Sequence, residues 1–114
     1  MKPSIKYISE SEAVGLVGKG WEHLVRQVYT AREAIGVPVG ILQVKERYGG
    51  LRIYTEYLVN ELEDIIRRVG YESLKICEEC GSPGTLTSGS VGEYKTRCDA
   101  HLGSYTPLPI ESLN

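Results

Sequence analysis

With 114 residues the chain has room for one domain and a modest core. Its content of 41% hydrophobic and 25% charged residues excludes general disorder. A formal net charge of -2 excludes a protein built to coat nucleic acid or an anionic membrane, although it leaves room for a local basic patch.

In chain order, Ser4 to Ile8 reads as a short strand. Ser9 and Glu12 have the spacing of a capping box, so a brief helix follows, and Gly15, Gly18 and Gly20 then break the chain. Trp21, Leu24, Val25, Val28 and Ile35, with Ala31 between them, fall on one helical stripe. Gly36 and Pro38 end that helix.

Val39 to Arg47 and Leu51 to Tyr57 read as the strands of a hairpin with Gly49-Gly50 as its loop, because a glycine pair supplies the positive φ of a tight turn. In that register Tyr48 faces Leu51, Val44 faces Thr55 and Leu42 faces Tyr57. Leu42, Val44, Leu51 and Ile53 look into the core. Gln43, Lys45, Arg47, Arg52, Tyr54 and Glu56 share the other face, with Arg47 opposite Arg52. Glu46 falls on the apolar side and needs a partner there.

Asn60 begins the next helix, with Glu63 completing a capping box and Leu62, Ile65, Ile66 and Val69 as its buried stripe. After His101, the prolines keep Tyr105 to Ile110 extended. No stretch of about 18 apolar residues suggests a membrane span. The start lacks the apolar run of a signal peptide. Three cysteines cannot all pair within one chain, and two have metal-ligand spacing, so reduced thiols in the cytoplasm are expected.

The chemistry concentrates in the last third. Cys77-Glu78-Glu79-Cys80-Gly81 is a Cys-x-x-Cys pair whose glycine frees the backbone to turn under the sulfurs. Seventeen residues further on, Cys98-Asp99-Ala100-His101 repeats the spacing with an imidazole. Three thiolates and one imidazole favour tetrahedral zinc. Four protein ligands leave no open position, so Cys77, Cys80, Cys98 and His101 read as a structural Zn2+ site in a zinc ribbon or treble-clef-like finger. The competing readings are a redox pair beside an unrelated Cys and His, and an iron–sulfur site, which usually takes four cysteines. Glu78, Glu79 and Asp99 suggest a solvated surface around the site.

Elsewhere the plain reading is structural. His23 has no nucleophile nearby, and with His101 committed to metal, histidine-based chemistry lacks parts. Glu61, Glu63 and Asp64 suit a helix N-terminus. Trp21 reads as a core anchor. Lys45, Arg47, Arg52 and Tyr54 form either a solvated strand face or a surface that holds phosphate and stacks a base.

Gly18-Lys19-Gly20-Trp21, then Gln43 through Tyr54, then Cys77 through Gly84, then Thr96 through His101 occur in that order. Over residues 18 to 101 this resembles a group of small zinc-ribbon-containing proteins met in bacteriophages, prophages and bacteria. The Gln43-Val44-Lys45-Glu46 hairpin segment is its most specific part. Endings of the last ligand pair in that group vary between His and Cys types, which His101 fits. The resemblance implies a phage or mobile-element origin and an accessory role, such as binding a host protein, and brings no activity with it.

The expected protein is therefore α+β: helix, β-hairpin and helix over residues 1–76, a zinc ribbon over 77–103 and an extended tail over 104–114, in one domain. It is expected to be a non-enzymatic binding protein with another protein as partner, or else a nucleic-acid-binding module using the hairpin face, and to be a monomer or homodimer.

Overall fold

Local sequence signals account for most of the elements in the computed structural model, which describes residues 6–108. Ser9 caps helix α1 (Glu10–Ala13) by the expected box: its hydroxyl accepts the Glu12 N–H and the Glu12 carboxylate accepts its own N–H. A 3-10 turn at Lys19–Trp21 then leads into α2 (Glu22–Ile35). The α2 stripe of Leu24, Val25, Val28 and Tyr29 is buried, and Gly36 ends the helix in the left-handed conformation at φ 79. Of the expected strand at 4–8, residues 4 and 5 lie outside the described residues. Residues 6 to 8 form no strand, although the Ile8 N–H donates to the Ile41 carbonyl at 2.8 Å.

Strands β1 (Ile41–Arg47) and β2 (Gly50–Thr55) form the expected antiparallel hairpin with a different turn. The two loop residues are Tyr48 and Gly49, both at positive φ (54 and 84), rather than Gly49-Gly50. A tight primed turn needs positive φ at both positions, and tyrosine accepts it here. Arg47 therefore faces Gly50, Lys45 faces Arg52 and Val44 faces Ile53. The pairing has slipped by two residues, a full side-chain period, so the two faces keep their expected membership. One exception lies at the bulge between Ile41 and Gln43, which turns Ile41 into the core and leaves Leu42 half-buried.

Helix α3 (Asn60–Ser73) packs on α2 and on β2. Asn60 is its first helical residue rather than its cap. The cap is Val59, without a side-chain hydrogen bond, and Glu63 instead accepts from the Thr55 hydroxyl at 3.4 Å. Leu62 and Val69 are fully buried, with Ile65 and Ile66 packed beside them. A two-stranded sheet is marginal alone. Here Ile41, Val44, Leu51 and Ile53 join Trp21, Leu24, Val25, Val28, Leu62 and Val69 in one core, so helix packing supports the hairpin.

Beyond α3 lies a separate sheet of β3 (Thr85–Ser88), β4 (Tyr94–Arg97) and β5 (Thr106–Pro107), in the order β4-β3-β5. Within the described part of the tail, Thr106–Pro107 is extended as expected and adds an edge strand to β3. Pro109 and Ile110 lie outside the described residues. The architecture is thus α+β, with helices over one antiparallel hairpin and a second small sheet beside it.

Candidate metal centre

The second sheet carries a Cys/His cluster at its base. Cys77 and Cys80 sit on a knuckle that Gly81, at φ 85, allows to turn. The Gly81 N–H donates to the Cys77 carbonyl and the Cys77 N–H to the Ser82 carbonyl, both at 2.8 Å. Cys98 directly follows β4, and His101 closes a 3-10 turn over Asp99–His101. The β3–β4 hairpin thus brings together two ligand pairs that are far apart in sequence. Cys77 and Cys98 are buried, whereas Cys80 and His101 reach the surface.

The ligand atoms of Cys77, Cys80, Cys98 and His101 all lie within 4.8 Å of one another. Cys80 Sγ is 3.6 Å from Cys98 Sγ, and His101 Nδ1 is 3.2 Å from Cys98 Sγ and 3.7 Å from Cys77 Sγ. A tetrahedral ion with bonds of about 2.3 Å to sulfur and about 2.0 Å to nitrogen places its ligand atoms roughly 3.5–3.8 Å apart. The donor set and its spacing therefore fit one tetrahedral metal ion. Nδ1 faces the sulfurs, which leaves the His101 proton on Nε2 when the ring is a ligand.

Electrostatics around the cluster act in opposite directions on two of its thiols. Hydrogen bonds from the Ser82 hydroxyl and backbone pull the Cys80 thiol down to about 6. Partial burial pushes the Cys98 thiol up. Three thiolates and a divalent ion leave one negative charge. Arg97 supplies a positive group beside it: burial works against this guanidinium, but Glu79, Glu78 and Cys77 together hold its pKa above the ordinary arginine value. Arg97 Nη1 binds Glu79 Oε1 at 2.6 Å, which holds that carboxylate below its ordinary value.

Of the three acidic residues around the site, Glu79 and Asp99 are exposed, as their sequence positions suggest, but Glu78 is not. Glu78 is buried; its carboxylate accepts the Gly18 N–H at 3.1 Å and its carbonyl accepts the Gly20 N–H at 2.7 Å. Glu79 is tied to Arg97, while Asp99 is exposed. Glu78 thereby fastens the knuckle to the segment before α2. Trp21 completes this junction. It is fully buried, as expected of a core anchor, and its Nε1–H donates to the Ile76 carbonyl at 2.9 Å.

A second junction joins the β1–β2 turn to β4. Glu46, which needed a partner, accepts from Lys95 Nζ and from the Gly49 N–H, both at 2.7 Å. The Thr96 hydroxyl donates to the Gly49 carbonyl at 2.7 Å. Sequence reasoning missed both junctions, because their polar partners lie tens of residues apart. Only the wish of Glu46 for a partner hinted at one of them.

The hairpin residues Lys45, Arg47, Arg52 and Tyr54 do share a face, separate from the Cys/His cluster. Lys45 Nζ lies 5.6 Å from the centre of the Tyr54 ring, and Arg47 lies 5.0 Å from that of Tyr48. Lys45, rather than Arg47, is the direct neighbour of Arg52. His23 is exposed on α2, and Glu61 and Glu63 occupy the first turn of α3 as a helix N-terminus favours. No helix among the described residues is long and apolar enough to cross a membrane. Comparison with known protein families, curated proteins and solved structures finds no match to this chain.

Proposed function

We propose that Cys77, Cys80, Cys98 and His101 hold one structural zinc ion, and that the chain is a non-enzymatic binding protein of phage or mobile-element type acting on another protein in the cytoplasm. The observation that supports this best is the closed set of four ligand atoms within 4.8 Å of one another. Soft sulfur donors favour zinc over hard cations. With all four positions filled by the protein, no place remains for a catalytic water. The knuckle, the β3–β4 hairpin and the turn that carries His101 support reading this part as a zinc ribbon or treble-clef-like finger. The resemblance to phage and prophage proteins points to a host or phage protein as target, for example a defence or transcription factor.

Elemental analysis of protein purified without added metal tests the site. About one zinc per chain is expected, and a folded protein with less than about 0.3 zinc per chain refutes it.

A nucleic-acid-binding module is the second reading, because Lys45 stands opposite Arg52 with the Tyr54 ring beside them. Affinity for generic DNA or RNA should then fall steeply with salt. Replacing Lys45, Arg47 and Arg52 together by serine should abolish it while leaving the fold intact. Unchanged affinity removes this face as the reader.

A further inference from the structure

Outside the Cys/His cluster, a groove of about 460 Å³ runs between β2 and α3. Its floor is apolar, built from Ile66 and Leu74 of the α3 region and Leu86 of β3. Its rim is aromatic and charged: Tyr48, Arg52 and Tyr54 come from one side and Arg67 and Tyr71 from the other, and Glu63, whose carboxylate accepts from the Thr55 hydroxyl, also lines it. Tyr48 is 62% exposed and Tyr71 67%, which is high for rings that border an apolar floor. Exposed tyrosine and arginine around apolar ground are what protein-binding sites are made of.

The groove also exposes a strand edge. The two-stranded sheet ends at β2. In a hairpin closed by Tyr48-Gly49, the N–H and C=O groups of Leu51 and Ile53 point away from β1. Ser73 Oγ takes the Leu51 N–H at 2.9 Å, whereas the next such residue, Ile53, lines the groove. The charge here is unbalanced as well. Arg67 is paired with Asp64 and Lys95 with Glu46, but Lys45, Arg47 and Arg52 have no carboxylate partner among the described residues. Lys45 and Arg52 face each other directly, an arrangement that an anion between or beside them relieves.

We propose that this groove binds an extended acidic peptide segment of a partner protein. The segment adds its backbone along the Ile53 edge of β2. It seats an apolar side chain on the Ile66, Leu74 and Leu86 floor and sets its carboxylates against Arg52 and Lys45. The inference rests on the protein-binding reading above and names the surface and the chemistry of the target. An apolar floor and a free strand edge serve a polypeptide, whereas a nucleic acid uses neither.

The test selects random dodecapeptides displayed on phage against the zinc-loaded full chain. Winners should combine Asp or Glu with apolar residues. A synthetic winner should lose at least about tenfold in affinity to the Arg52→Glu and Tyr71→Ala variants. Both side chains are exposed, and Arg52→Glu gains Lys45 as a partner, so melting temperatures should hold. Winners without acidic residues, or winners whose binding neither variant weakens, overturn the groove while leaving a protein-binding role standing. If no peptide is enriched and oligo-uridylate binds in a salt-sensitive way that Arg52→Glu abolishes, both this inference and the protein-binding reading fail.

Discussion

Replacing Gly20 by alanine tests whether backbone contact holds the Cys77–Cys80 knuckle to the helical core. A Cβ at residue 20 would overlap the Cys77 carbonyl oxygen and the Gly81 nitrogen and lie 2.8 Å from the Glu78 carbonyl oxygen. All three are main-chain atoms, so no change of rotamer relieves the clash. Ordinary contact needs about 3.5 Å, which forces the two segments apart by roughly 1 Å or more. Overpacking of this kind costs about 1–3 kcal/mol. The separation also breaks the Gly20 N–H bond to Glu78, at 2.7 Å, and strains the Trp21 bond to Ile76, at 2.9 Å. Each donor left unsatisfied in the interior adds about 1–3 kcal/mol. A total near 3–5 kcal/mol is a large part of the ~5–15 kcal/mol that holds a domain of this size. Thermal melts of the zinc-loaded protein should show a loss of roughly 10–20 °C. Zinc should also pass to a competing chelator more readily. Gly15→Ala is the control, since its Cβ meets only the Glu12 carbonyl at an ordinary 3.5 Å. A Gly20→Ala protein that melts within a degree or two of the control refutes the junction.

Chelation, or Cys80→Ser, should open residues 77–108 while much of the helical circular dichroism survives. Zinc supplies ~10–16 kcal/mol in isolated fingers, and full hydrogen-exchange protection of 77–101 without metal would show that packing organises the segment instead. Glu46→Ala should cost about 1–2 kcal/mol in a urea melt, because it strands Lys95 and the Gly49 N–H in a partly buried position; an unchanged midpoint denies this junction a role. Burial pushes the Tyr29 hydroxyl from an ordinary 10.0 up to about 12. The folded state then keeps its proton longer than the unfolded chain, so stability is whole below pH 10 and falls by about 2–3 kcal/mol as pH rises toward 12. Tyr29→Phe should flatten that alkaline decline, and an equally steep decline in the variant would assign it to other groups.

The clustering of Cys77, Cys80, Cys98 and His101 was legible because two thiols two residues apart, and a Cys and a His with the same gap, leave few other readings. The helices were legible from their apolar stripes, and Ser9 with Glu12 capped as spaced. The hairpin was legible only to its faces. Two adjacent glycines attracted the turn, but Tyr48 took the first left-handed position and left Gly50 to the strand. Asn60 has the composition of a cap without acting as one, because Val59 already begins the turn that Glu63 closes with its backbone. Glu78 misled most. A charged residue between two ligands reads as solvated, yet the approach of Gly18 and Gly20 buries it and supplies its partners.

Two of the paired glycine and charge motifs thus have a structural explanation. Gly18, Gly20 and Trp21 receive the knuckle, and Glu46 with Gly49 receives β4. Through these junctions the second sheet and the helical core brace each other, so the small segment that bears the Cys/His cluster rests on a core it did not have to build. The same account fails for Lys45 and Arg52. They stand opposite each other on an exposed face, and no internal carboxylate among the described residues joins them. Like charges so placed weaken a hairpin by about 0.2–1 kcal/mol. Nothing in the packing of the chain requires that arrangement, since either residue could be polar and uncharged without disturbing the buried face of Val44, Leu51 and Ile53. The acidic segment proposed above would meet this pair directly, since a carboxylate set between Lys45 and Arg52 relieves their repulsion.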